Sequence, residues 1–79
     1  MRKFKVMAFW DPEASVWVAE SADVPGLVTE ADTVEQLVAR LRNMVPELLE
    51  TNGVIGPGAE DVPIKLVAER AVHASRNAA

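Results

Sequence analysis

Apolar and polar residues alternate from Lys3 to Trp10. Phe4, Val6, Ala8 and Trp10 fall on one side, and Lys3, Lys5, Met7 and Phe9 on the other. A period of two is the signature of a β-strand. Asp11-Pro12-Glu13-Ala14 is turn chemistry, because proline pre-sets φ for a turn position. The alternation resumes from Val16 to Ser21, so the two segments make a hairpin. Placing Trp10 opposite Ser15 sets Lys5 opposite Glu20, a favourable cross-strand ion pair. Asp23-Val24-Pro25-Gly26 is a second turn, with Pro-Gly suited to the central positions of a type II turn. A short strand, Leu27 to Ala31, follows it.

The period then changes. Val34, Leu37, Val38, Leu41, Val45, Leu48 and Leu49 recur at helical spacing, while Arg40, Arg42, Asn43, Glu47 and Glu50 take the other side. Thr33 suits the N-cap, and Gln36 three residues on completes a capping box. Asp32 and Glu35 stand near the positive end of the helix dipole. Pro46 removes one helical hydrogen bond, which predicts either a kink near Arg42–Val45 or two helical segments. Thr51-Asn52-Gly53 ends the helix, residues 54–61 form a loop, and Val62 to Glu69 alternates again as a last strand. Arg70–Ala79 carries no strong pattern.

Two hairpin connections make the first three strands antiparallel, and a helical crossover brings the fourth beside and parallel to the first. The expected fold is α+β, βββαβ, with sheet order 3-2-1-4 and one helix on one face. Residues 1–70 form a single domain and 71–79 a short tail. One helix covers one face only. The other face, with Met7, Phe9, Val16 and Val18 beside Lys5 and Glu20, is too apolar to stay wet. It is covered either by the 54–61 loop or the tail, or by a second subunit in a two-fold dimer. The dimer is the expectation, with Met7, Phe9, Val16 and Val18 as its interface.

Composition narrows the classes. Seventy-nine residues make one small domain, for which oligomerisation is a common support. The hydrophobic share of 49% argues against disorder. No apolar run reaches the roughly 18–20 residues of a membrane span, and Val6–Trp10 is too short for a signal-peptide core. The chain has no cysteine, which fits the cytoplasm. Net charge is −4, against non-specific nucleic-acid binding. From Asp11 to Ala39 there are seven acids (Asp11, Glu13, Glu20, Asp23, Glu30, Asp32, Glu35) and no base. That run is either a solvated surface or a face that steers a basic partner.

No phosphate-binding glycine loop or metal-ligand spacing is present. His73, the single histidine, stands in the unpatterned tail with no nucleophile in triad logic. Trp10 and Trp17 read as core or interface anchors. No catalytic residue, metal or cofactor is expected.

With the elements in place, Trp17 to Leu41 resembles the HicB family of bacterial antitoxins and the small families related to it. The matching residues are Val16-Trp17-Val18-Ala19, Asp23-Val24-Pro25-Gly26-Leu27-Val28-Thr29 and Asp32-Thr33-Val34-Glu35-Gln36-Leu37, with Ile64–Ala68 as the last strand. The resemblance implies a partial ribonuclease-H-like fold, in agreement with the order above. A working nuclease of that fold needs acids on strands one and four. Val6-Met7-Ala8 and Ile64-Lys65-Leu66-Val67 supply none. HicB-like antitoxins bind and block a small basic RNA-cleaving toxin, HicA, and many add a DNA-binding segment that Arg70–Ala79 is too short to form. The implied function is a non-catalytic, homodimeric, cytoplasmic protein-binding domain that inhibits a HicA-like toxin, without direct nucleic-acid or membrane contact. Asp23, Glu30, Asp32 and Glu35 are the expected rim contacts with that toxin. The alternative is a solitary regulatory module holding a small ligand between Trp17, Trp10 and the helix.

Overall fold

A computed structural model describes residues 3–58 and 61–76. The parts of the expected loop and tail at 59–60 and 77–79 therefore lie outside the described residues. The elements are β1 (Phe4–Asp11), β2 (Val16–Glu20), β3 (Val28–Ala31), α1 (Val34–Thr51) and β4 (Ile64–Glu69). The fold is α+β, and the four strands form one sheet in the order β3-β2-β1-β4. β1 pairs antiparallel with β2 and parallel with β4, and β2 pairs antiparallel with β3. This is the topology expected from the order of the elements.

The first hairpin differs in register. Trp10 lies opposite Trp17 rather than Ser15, and Glu20 lies opposite Met7 rather than Lys5. Loop chemistry accounts for the shift. The Asp11 carboxylate accepts from the N–H groups of Glu13 (3.0 Å) and Ala14 (3.4 Å), and Ser15 takes a left-handed φ of 55°. These contacts hold the turn within Pro12–Ser15 and let the two indoles meet edge-to-face at 5.7 Å. A shift of two residues preserves which side chains share a face.

Lys5 therefore meets no residue of β2. Its main chain is bound by side chains instead: the Asp23 carboxylate accepts from the Lys5 N–H at 2.8 Å, and the Ser21 hydroxyl donates to the Lys5 carbonyl. The Ser21 oxygen also accepts from the N–H groups of Asp23 (3.0 Å) and Val24 (3.1 Å). The second turn follows at Val24–Leu27, where the Leu27 N–H donates to the Val24 carbonyl at 3.2 Å. Gly26, at φ 82°, supplies the positive φ that a type II turn demands. Val24 and Leu27 are buried on either side of it, so β3 starts one residue later than the alternation suggests.

Thr33 caps α1 by accepting from the Gln36 N–H at 3.1 Å. At the other end the Gly53 and Val54 N–H groups donate to the Glu50 (3.0 Å) and Leu49 (2.8 Å) carbonyls, with Gly53 at φ 70°, a Schellman ending. The Asn52 amide donates to the Leu48 carbonyl (2.8 Å) and the Pro25 carbonyl (3.4 Å), tying the helix end to the second turn. Leu37, Leu41, Val45 and Leu49 are buried at intervals of four against Phe4, Val6, Ala8, Ala19 and Ala31 of the sheet. Ile55 and Val62 pack against this same core, and β4 begins at Ile64, two residues later than expected.

α1 runs unbroken through Pro46, so the two-segment alternative does not form. The buried stripe on both sides of Pro46 holds the helix together. Arg42, whose carbonyl loses its donor, is exposed to water. Because proline costs about 3 kcal/mol relative to alanine inside a helix, Pro46→Ala is expected to stabilise the domain by about 1–3 kcal/mol. Urea unfolding monitored by circular dichroism checks this; an unchanged or lower midpoint would contradict it.

Candidate functional site

The face of the sheet turned away from α1 is the surface available for function. Its side chains follow from the registers. Across the sheet, Glu30, Val18, Phe9 and Glu69 lie in one row, and Val28, Glu20, Met7 and Val67 in the next. Lys5 and Lys65 sit side by side beyond Met7 and Val67, and Asp11 pairs with Val16 at the opposite end. An apolar strip of Met7, Phe9, Val16, Val18, Val28 and Val67 is thus broken and flanked by acids, with two lysines at one end.

No described segment covers this face. Phe9 is 40% exposed and Val28 69%. The described residues of the 53–62 loop place their packed side chains on the core instead, and residues 70–76 are exposed. Of the two explanations for a dry second face, cover by the chain's own loop or tail is not what the described residues do.

Met7, Phe9, Val16 and Val18 do share one surface, as the alternation indicates. Val28 and Val67 belong with them. The alternation carried Val67's signal, but its place beside Met7 needed the parallel register. The four acids do not form one rim. Glu30 stands on the open face and Asp32 just past the same end of β3. Glu35 is in the first turn of α1, on the helix side of the sheet. Asp23 lies at the other end of β3 and is engaged with the Lys5 main chain.

The two tryptophans stand on the helix side. Trp17 packs against the core, and the Arg70 guanidinium lies 4.3 Å from the centre of the Trp10 ring, a cation–π contact. A shallow concavity of about 480 Å³ beside Trp10 is lined by Pro12 and residues 70–73, so it opens toward the end of β4 rather than toward the helix. Among the described residues no three histidines, cysteines or carboxylates come together as a metal site, and no helix is long and apolar enough to cross a membrane. The open face offers apolar area with carboxylates within it and beside it.

A family described as a domain of unknown function, DUF1902, matches residues 3–76. The chain belongs to the DUF1902 family. It is also similar to a solved structure, the crystal structure of the hypothetical protein TTHA1013 from the extremely thermophilic bacterium Thermus thermophilus. The two share 55% identity over 94% of this chain and 99% of that one, with a TM-score of 0.70. No curated protein matches. The DUF1902 assignment therefore covers every element described above.

The geometry separates a structural acid from surface ones. A hydrogen bond to a charged group contributes about 1.5–3 kcal/mol, so Asp23→Ala is expected to cost about that much. Glu30→Gln and Glu35→Gln, on exposed residues, are expected to stay within about 0.5 kcal/mol of the parent. Thermal and urea denaturation of the three variants checks the contrast. Equal midpoints would remove the structural role given to Asp23.

Proposed function

We propose that this DUF1902 chain is a non-catalytic protein-binding domain that works as a homodimer, in the manner of HicB-like antitoxins. Its ligand is a small basic protein, a HicA-like RNA-cleaving toxin whose active site it covers. The observation that carries the reading is the open face: exposed Phe9 and Val28 in an apolar strip broken by Glu20 and flanked by Glu30 and Glu69. Apolar centres with charged margins suit protein recognition, the margin giving approach rate and selectivity. The acid run without a base from Asp11 to Ala39 supports a basic partner. The absence of cysteine supports work in the cytoplasm.

Of the four expected rim acids, Glu30 and Asp32 are the pair that this reading uses first, because both stand at the open-face end of β3. Glu35 contributes to the field from the helix side, and Asp23 contributes charge while holding the fold.

The test begins with capture of the tagged chain from its host and mass spectrometry of the companions. One small, strongly basic protein in near-equal amount, with RNA-cleaving activity that the chain suppresses, is the expected result. Titration of that protein against the Glu30→Lys/Asp32→Lys double variant is then expected to show at least tenfold weaker binding at low salt, with thermal stability unchanged. Equal affinity would remove the electrostatic argument. Capture of no basic protein, together with a rise in melting temperature on adding a small metabolite, would favour the ligand-binding alternative.

A further inference from the structure

The open face is not flat. A concavity of about 510 Å³ opens on it where β2 runs into the second turn, and its lining includes Met7, Ala22, Leu27 and Val28 together with Glu20. Glu20 lies opposite Met7 on one side and Val28 on the other. Side chains so paired stand about 5 Å apart at their Cβ atoms. Leu27 is buried, so that part of the lining is fixed by the core, while Glu20 and Val28 stand in water.

Two polar side chains share this lining, and one of them is already engaged. The Ser21 hydroxyl donates to the Lys5 carbonyl and accepts from the Asp23 and Val24 N–H groups. The Glu20 carboxylate makes no hydrogen bond or ion pair among the described residues. Lys5 stands one position further along the same face, where it lines an adjoining concavity of about 230 Å³ with Asp23. It forms no ion pair with Glu20.

A partner that covers Met7 and Val28 also covers Glu20, which stands between them. Water is then withdrawn from an unpaired carboxylate, and that is heavily penalised unless the incoming surface brings the opposite charge. The lining sets the form of that charge. A carboxylate flanked by apolar side chains suits a guest with an aliphatic stem and a cationic head. Arginine has both, with a planar fork that matches two carboxylate oxygens and a head less strongly hydrated than an ammonium. Lys5, beyond Met7, repels the head from the far end of the site and keeps it at Glu20.

We propose that this concavity seats one arginine side chain of the basic partner, its stem against Met7 and Val28 and its guanidinium on the Glu20 carboxylate. The inference rests on the protein-binding reading above and names the side chain that the open face takes. Glu20 and Glu30 then have separate roles. Glu30 is on the outer strand β3 and attracts from a distance, an effect that salt weakens. Glu20 is on the inner strand β2 and makes the enclosed contact.

The probe is N-acetyl-arginine methylamide, titrated into the full chain with isotope-labelled amides and methionine methyl groups. Nuclear magnetic resonance is expected to show shifts at the Met7 methyl and at the Glu20, Ala22 and Val28 amides. The uncharged isostere N-acetyl-citrulline methylamide is expected to leave them in place. The shifts are expected to be lost in Glu20→Gln and kept in Glu30→Gln. Glu20 is exposed and unpaired, so Glu20→Gln is expected to fold with an unchanged melting temperature. Absence of shifts at these positions, equal shifts with the citrulline compound, or shifts that persist in Glu20→Gln overturn the proposal. With a captured basic protein, Glu20→Gln is expected to weaken binding by about tenfold or more, at low and at raised salt alike. Unchanged affinity there overturns the arginine seat and leaves the basic partner standing. Capture of no basic protein removes the partner reading, while the arginine titration still decides the Glu20 site.

Discussion

One helix can dry one side of a four-stranded sheet, and this chain has one helix. The buried stripe of Leu37, Leu41, Val45 and Leu49 settles on Phe4, Val6, Ala8, Ala19 and Ala31, and most of the hydrophobic stabilisation lies in that layer. Everything else in the structure answers to this constraint. The turns and caps serve to aim the stripe: Thr33 starts it, the Schellman ending at Gly53 stops it, and Asn52 fastens its end to the Pro25-Gly26 turn. Among the described residues, the same constraint leaves the second face uncovered. In a domain of this length, which buries only about 60% of its unfolded surface, such uncovered apolar area is a substantial part of what could still be gained.

The acids illustrate how one residue type divides between stability and recognition. Asp23 and Glu30 belong to the same base-free run, and net charge treats them alike. Their surroundings do not. Asp23 receives the Lys5 N–H on the side where β2 has already ended. Ser21 takes the Lys5 carbonyl, so two side chains replace a missing rung of the ladder. Glu30 has open water in front of it and apolar neighbours beside it, which is the setting of a recognition residue.

Periodicity made the topology legible. Alternation, helical spacing and the Thr33 and Gly53 signals act over a few residues, and each is written in the local sequence. The two-residue slip in the first hairpin was not legible, because it depends on the Asp11 carboxylate closing its own loop and on Ser15 taking a left-handed φ. The Lys5 clamp was hidden for a related reason: Ser21 and Asp23 reach a backbone group 16 to 18 residues away, and no period records such a contact. Membership of the open face survived the slip because a shift of two preserves strand parity. A shift of one would have reversed it. Pro46 points the other way. Of the two outcomes a local rule predicted, the break does not occur, because a continuous buried stripe carries the helix through Pro46.

The charge on the open face bears on which surface best covers it in this member of the DUF1902 family. Pairing through the open face would bury the apolar strip, and it would also bury Glu20, which stands between Met7 and Val28 and would need a partner charge. Lys5 and Lys65 share that face, and they are outnumbered there by Glu20, Glu30 and Glu69. A second copy of the chain would bring the same surplus of negative charge to the interface, whereas a basic protein would offset it. In the reading proposed above, that surplus is what the partner meets.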